Sequence, residues 1–395
     1  MPGVWVLDVL LVVILLGYLF AGYRSGFVRS VSAFVGVAAG AVAAYFAIPV
    51  VNGWVPASEW RVPAVVVVAI ALVLVGHAVG SAVGRGIRDR LRKTPLSAVD
   101  HVLGAGVNAV AAALIASLLA LSVTALGIPL FSQAIGASAV LRTINSLTPD
   151  PVEAFLARLR SSVVDDGIPL ITEALGGITT APELPLADTG TPALTEAARS
   201  VVRITGNAFE CGQNQSGSGF VVAVDRVVTN AHVVAGVTAP IVEVPGEGAL
   251  PGRIVYFDAV KDLAVIAVDG LPATPLALSP TLSVGTTGVI DGYPFGGPFS
   301  TGPARVLSVA TSSAADIYGE NPAPREVYTL AADVRSGNSG GPLLTDTGAV
   351  AGVVFATSAE LANVGYALTM TELDPVAAQA PELDDAVGSG ACTRG

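Results

Sequence analysis

Four long apolar runs open the chain, at residues 4–21, 31–51, 62–83 and 102–126. Each lasts roughly 18 to 25 residues, the length a helix needs to cross about 30 Å of hydrocarbon, so each predicts a transmembrane helix. No basic segment precedes the first run and three more follow it, which argues against a cleaved signal peptide. After Gly127 the pattern changes. In 149–167, Val152, Phe155, Leu156 and Leu159 recur at helical spacing and predict an amphipathic helix. The next stretch, 176–194, is rich in Gly, Pro and Thr and predicts a flexible linker open to proteolytic nicking. From Val201 onward short apolar or alternating runs, such as "GFVVAV", "RIVYF", "LAVIAV" and "AVAGVVFA", alternate with Gly and Pro turns. That punctuation predicts an all-β domain, a sandwich or barrels. Near the end, 371–380 predicts a helix covering one end of it. The expected domains are thus a four-helix transmembrane domain at 1–127, a helix-containing linker at 128–195 and a β domain at 196–395.

Charge orients this arrangement. Arg24 and Arg29 follow the first run, and Arg85, Arg88, Arg90, Arg92 and Lys93 follow the third, whereas the loop at Glu59 and Arg61 is nearly neutral. By the positive-inside rule the two basic loops are cytoplasmic, and the N-terminus and everything after Leu126 are expected outside. Residues 1–126 hold eight Lys or Arg against four Asp or Glu, so the net −11 of the whole chain leaves −15 on the exported part. A domain of that sign is a poor partner for nucleic acid. The two cysteines, Cys211 and Cys392, both fall in the exported part, where an oxidising compartment favours a disulfide between them over two buried thiols. With two cysteines and one exported histidine, a zinc site is not expected.

The exported histidine is His232, since His77 and His101 belong to the apolar runs. A serine hydroxyl is a weak nucleophile near pH 7 and needs a base, commonly a histidine oriented by a carboxylate. Ser339, in "GNSGGP", sits among residues that also suit an ordinary turn. Asp262 directly precedes the apolar run "LAVIAV" and is the candidate carboxylate, with Asp258 the alternative. The order His232, Asp262, Ser339 is that of the chymotrypsin-type triad.

"SGSGFVV" (216–222), "VVTNAHVV" (227–234), "DLAVI" (262–266) and "GNSGGPLL" (337–344) resemble the landmarks of trypsin-like, HtrA-related serine proteases. The stretch from Leu7 to Arg29 resembles the colicin V production (CvpA) membrane family. The combination resembles the actinobacterial membrane-anchored periplasmic serine proteases of the MarP type. This resemblance implies two six-stranded β-barrels, with Ser339 as nucleophile, His232 as general base and acid, and Asp262 as orienting carboxylate. It also implies an oxyanion hole from the Gly337 and Ser339 amides, with Gly340 and Gly341 allowing close packing behind them. The implied activity uses no cofactor or metal and acts on cell-envelope proteins, in acid and oxidative stress resistance. Asp333, six residues before Ser339, matches the position that makes a trypsin-like primary pocket acidic, so Arg or Lys would be preferred there. No PDZ domain is expected. Two other readings remain: a non-proteolytic envelope sensor or scaffold, and a colicin V production-type membrane factor with a regulatory protease domain. Asp8, costly inside a bilayer, is a candidate functional residue of the membrane part; the basic cluster at 85–93 is expected to set topology.

Overall fold

The computed structural model describes residues 4–54, 58–91, 97–124, 131, 134–135, 138–161, 169–171, 178–208 and 213–393. The chain divides into two compact units, Val6–Ala116 and a second that begins at Ser117 and runs to the end.

The first unit is helical. Helices α1 (Val4–Ser25), α2 (Phe27–Trp54), α3 (Ser58–Leu91) and α4 (Ser97–Thr124) coincide with the four apolar runs and extend beyond them into polar sequence. All four contain a window long and apolar enough to span a membrane. Between α1 and α2 only Gly26 intervenes, at φ +78°. A side chain there would meet the Asp100 carboxylate and Arg88. Helices α2 and α3 pack through Gly36, Gly40, Gly76 and Gly80, where an added Cβ would overlap the opposite backbone. Small residues permit this close approach, which is what associates helices where lipid leaves no hydrophobic drive between them. Asp100 accepts the Val28 amide (3.0 Å) and Arg88 Nε (3.1 Å). Arg88 is therefore a structural partner within the basic cluster as well as a topogenic charge. Asp8 is partly buried on α1.

The second unit starts with α5 (Ala139–Leu147) and α6 (Asp150–Ser161). The predicted helix at 149–167 is thus found through Ser161, and 162–168 lie outside the described residues. Its buried face differs from expectation: Phe155 is 63% exposed, while Leu156 and Ala157 are buried. The reason is Gly297, whose missing side chain leaves room only for the methyl group of Ala157. The 176–194 segment is irregular where described until Pro192, where α7 (Pro192–Ala198) begins with Thr191 Oγ1 accepting the Leu194 amide. Leu194 and Ala197 enter the core of the β domain, so the end of the expected flexible linker is a packed helix.

Two seven-stranded sheets make up the β domain. The first holds β2 (Val201–Ala208), β3 (Gln213–Ala223), β4 (Arg226–Thr229), β5 (Ile241–Val244), β6 (Gly248–Pro251), β7 (Arg253–Asp258) and β8 (Leu263–Ala267), ordered β6-β5-β2-β3-β4-β8-β7. The second contains β1 (Leu170–Ile171), β9 (Thr287–Gly292), β10 (Ser300–Ala314), β11 (Ala323–Ala331), β12 (Pro342–Leu344), β13 (Val350–Ser358) and β14 (Val364–Leu368). Its order is β1-β13-β12-β9-β10-β11-β14, and a further β13–β14 pairing closes a ring of six strands. The ring matches the six strands expected of a trypsin-like barrel, with β1 added outside it, and the first sheet carries its seven strands in the order given. One apolar cluster runs through both sheets, joining Phe220, Val228 and Leu263 of the first to Val353, Tyr366 and Leu368 of the second. Helix α9 (Met370–Gln379) seals it with Met370, Leu373 and Val376, close to the span predicted for a covering helix.

Candidate active site

Strand β4 ends at Thr229, and the buried one-turn helix α8 (Ala231–Val234) follows after Asn230, carrying His232. Asn230 Nδ2 donates to the Asp262 carbonyl (2.8 Å), tying this turn to the start of β8. Asp262 has φ +56°, a left-handed conformation that aspartate tolerates better than most residues. Its carboxylate lies 2.8 Å and 3.0 Å from His232 Nδ1 and accepts the His232 amide at 3.0 Å. A ring nitrogen that donates to a carboxylate fixes the tautomer and leaves the other as acceptor. That other nitrogen, His232 Nε2, is buried without a hydrogen-bond partner among the described residues. Asp258 is turned elsewhere, accepting the Val260 and Lys261 amides and the Tyr256 hydroxyl. Burial, reinforced by the Asp258 charge, pushes the Tyr256 phenol up to about 12.

Ser339 lies on the turn ahead of β12. Arg335 N donates to Asn338 Oδ1, Asn338 N to the Arg335 carbonyl, and Gly341 N to the Asn338 carbonyl. Gly337 has φ +90°, and a side chain there would overlap the Tyr293 carbonyl; Gly340, at φ +82°, faces the Ser218 carbonyl and Thr229. Thus the turn is wedged between the strands that lead to His232 and the loop after β9. Ser218, fully buried, clamps it: its hydroxyl donates to the Gly337 carbonyl (2.7 Å) and accepts the Tyr293 amide (2.9 Å), and its amide donates to the Ser339 carbonyl. The amides of Gly337 and Ser339 donate to no acceptor among the described residues. The Ser339 hydroxyl reaches the Phe355 carbonyl at 3.5 Å and makes no hydrogen bond to His232 Nε2. The structure therefore joins His232 to Asp262 directly and packs the Ser339 turn against their strands, with the hydroxyl directed at β13.

Two cavities flank the turn. One, of about 450 Å³, lies between Asp333–Ser336 and Thr357–Asn363; the other, of about 500 Å³, is bounded by Phe295, Thr301, Asn338 and Arg158 of α6. Asp333 borders both, but Arg335 holds its carboxylate at 2.6 Å and 3.0 Å, and both side chains are about half exposed (47% and 53%). The carboxylate expected to make the primary pocket acidic is thus paired with Arg335 at the border of both cavities.

Sequence reasoning missed three supports. Ser218 stands inside "SGSGFVV" with nothing in the sequence to mark it as a clamp. Arg203 pairs with Glu243 and donates to the Gly296 carbonyl (2.9 Å), fixing the loop behind Gly337. Burial is the largest single influence and would lower the Arg203 guanidinium, but the Glu243 carboxylate together with Tyr293 and Glu153 makes the net shift upward. Asp291, on β9 and 1% exposed, packs its backbone against Gly341. Burial raises its carboxyl to about 6, with its cross-strand neighbour Thr301 offsetting part of the shift. Cys211 lies outside the described residues, while Cys392 packs on the first-sheet core. No group of three or more potential metal ligands occurs among the described residues.

This geometry agrees with what the chain resembles. The sequence profile of the trypsin-like peptidase domain matches residues 217–353, and that of the colicin V production protein matches residues 7–149. Serine protease Rv3671c of Mycobacterium tuberculosis is 34% identical over 99% of both chains. The putative serine protease HhoB of Synechocystis is 33% identical over 41% of this chain and 39% of its own length. The crystal structure of the Rv3671c protease from M. tuberculosis in its active form superposes with a TM-score of 0.51 at 37% identity, covering 56% of this chain and all of that one. Four apolar helices with a colicin V production-type domain mark a multi-pass membrane protein, and the β domain a serine endopeptidase. The chain belongs to the family of Rv3671c-type serine proteases, in which a colicin V production-type membrane domain precedes a trypsin-like peptidase domain.

Proposed function

We propose that Ser339, His232 and Asp262 form the catalytic triad of a membrane-tethered endopeptidase. The observation that carries this is the His232 Nδ1 to Asp262 hydrogen bond, which leaves Nε2 as an unpartnered base beside the Ser339 turn. Ser339 Oγ leaves the Phe355 carbonyl, attacks the scissile carbonyl and passes its proton to Nε2. The oxyanion falls to the Gly337 and Ser339 amides, donors each worth about 3 to 4 kcal/mol in comparable enzymes. Collapse gives an acyl-enzyme while His232 protonates the leaving amine, and a water activated by the same imidazole releases the acid. No cofactor enters this scheme. The test is fluorophosphonate labelling of the full chain in nanodiscs. Labelling lost in both Ser339→Ala and His232→Ala is expected; labelling that persists in Ser339→Ala, or none in a folded wild type, overturns the assignment.

Residues 1–127 serve as the membrane domain, 128–195 as the connection and 196–395 as the protease. The protease faces the periplasm or cell-wall space, a reading supported by the positive-inside pattern and tested by reporter fusions at the C-terminus. Its substrates are envelope proteins, cell-wall hydrolases among them, and its service is in acid and oxidative stress; survival of a deletion strain complemented with Ser339→Ala tests this. A disulfide joins Cys211 to Cys392. No described cysteine is free, and the tail leading to Cys392 is laced to the first sheet by Val387 N to the Ile254 carbonyl and Gly236 N to the Ser389 carbonyl.

A further inference from the structure

Strand β13 changes neighbours along its length. β12 pairs with Val350 to Val353 on one side, and β14 pairs with Val353 to Thr357 on the other. Beyond Val353 the β12 side faces the nucleophile turn. Gly340 N donates to the Val354 carbonyl, Val354 N to the Gly341 carbonyl, and Ser339 Oγ to the Phe355 carbonyl. β13 shifts register between Val354 and Ala356, so the Phe355 carbonyl faces the same turn as Val354, and beyond the shift Thr357 and Ala359 present their amides along that edge. An unpaired edge is a template for another strand.

That edge is filled, and by this chain's own linker. Thr357 N donates to the Pro169 carbonyl at 3.2 Å and Ala359 N to the Ile171 carbonyl at 3.0 Å. Leu170 and Ile171 pair in parallel with Thr357 and Ser358. Ile171 rests on the apolar core, while Leu170 is 63% exposed. The pairing begins two residues, about 7 Å of strand, from the carbonyl that the Ser339 hydroxyl touches. A peptide that brings a carbonyl to Ser339 and continues along this edge needs the amides of Thr357 and Ala359, which the linker already holds.

We propose that Pro169–Ile171 occupies the peptide-binding edge at Phe355–Ala359 as an intramolecular strap that competes with substrate. This rests on the reading of Ser339 as nucleophile. The strap pairs through Leu170 and Ile171, and Leu170 is exposed, so a longer peptide can displace it. It acts on access to the site and leaves the chemistry at Ser339 untouched.

The experiment compares two probes on the full chain in nanodiscs: a small alkyl fluorophosphonate, which needs only Ser339 with its base and oxyanion donors, and succinyl-Ala-Ala-Leu diphenyl phosphonate, which must also lie along a strand edge. Ile171→Pro removes a strap N–H, and a Gly-Gly-Gly replacement of 169–171 removes the apolar contact while keeping length. The expected result is a rise of about three- to tenfold in the second-order rate of the peptidyl probe, the release of one or two backbone hydrogen bonds. The fluorophosphonate rate stays unchanged, and that also reports a folded site. An equal ratio of the two rates in wild type and both variants overturns the strap. If neither probe reacts with any form, the nucleophile assignment has failed, and hydrogen exchange decides the strap instead. Faster exchange at Thr357 and Ala359 in both variants supports it, and unchanged exchange overturns it.

Discussion

His232 and Asp262 are joined twice, once through the imidazole Nδ1 at 2.8 Å and once through the His232 backbone amide at 3.0 Å. The carboxylate thus fixes both the ring and the backbone that carries it. In Asp262→Asn the amide oxygen can keep one of these bonds, but the carboxamide no longer enforces the tautomer that exposes Nε2 as acceptor. Activity on a peptide substrate is expected to fall by about 10³- to 10⁴-fold in kcat with little change in KM. Steady-state kinetics beside circular dichroism checks this, and a loss below tenfold would remove Asp262 from the triad.

Gly337 is a sharper test of the oxyanion turn. Its φ of +90° and its contact with the Tyr293 carbonyl leave no room for a methyl group. Gly337→Ala is expected to move the turn and mis-aim its own amide, lowering kcat by about 10² to 10³. Strain in the left-handed region adds about 1 to 2 kcal/mol of destabilisation, readable as a lower Tm. Fluorophosphonate labelling should slow in parallel with kcat, because that reaction uses the same donors.

Helices and strands were legible because their signals are local. The four apolar runs, the buried run of β8 and the helix from Met370 to Gln379 each declare themselves by composition or period. The site residues were legible through their neighbours: Asp262 precedes a fully buried strand, and Ser339 stands among glycines at +90° and +82°. What stayed hidden depends on partners distant in sequence. Phe155 fits a helical apolar stripe, yet Ala157 is the buried residue because Gly297, 140 positions later, offers space only for a methyl. Arg88 reads as one charge in a basic loop until Asp100 is found against it. The strand Leu170–Ile171 has no periodic signal at all and exists through its pairing with Thr357 and Ser358.

Asp291 makes stability depend on pH. Burial raises its carboxyl from 3.8 to about 6, so between these values the folded protein holds a proton that the unfolded chain has released. Stability from this group is full below about pH 4 and is lost as pH rises toward 6. The difference of about two units is on the order of 3 kcal/mol. Asp291→Asn is expected to flatten the Tm profile between pH 4 and 6 and to raise Tm near pH 7. An unchanged slope across that window would show that Asp291 titrates normally.

The proposed Cys211–Cys392 disulfide would close a loop of roughly 180 residues, for which chain entropy gives about 5 kcal/mol. Reduction is therefore expected to lower the Tm of the folded protein, and Cys392→Ser should melt alike with and without reductant. Equal melting of the wild type in both conditions would mean that the bond adds nothing or is absent.

Asp333 and Arg335 border both cavities that flank the Ser339 turn, and their pairing bears on the proposed cleavage preference. The carboxylate is held by two guanidinium nitrogens at 2.6 Å and 3.0 Å, so an arginine or lysine side chain of a substrate meets a charge already neutralised. The wild type is expected to show no strong preference for basic residues at the cleavage position. Arg335→Ala frees the carboxylate and removes a positive charge from the cavity wall. The pair is half exposed, so the gain is limited to about 1 kcal/mol, or roughly fivefold in kcat/KM for Lys and Arg relative to Leu. Arg335 also donates its backbone amide to Asn338 Oδ1, a bond that alanine retains, so the turn carrying Ser339 should stay intact. A panel of peptides differing only at that residue measures the effect. A wild-type preference for Lys or Arg above about tenfold would mean that substrate displaces Arg335 and that the pocket is acidic after all.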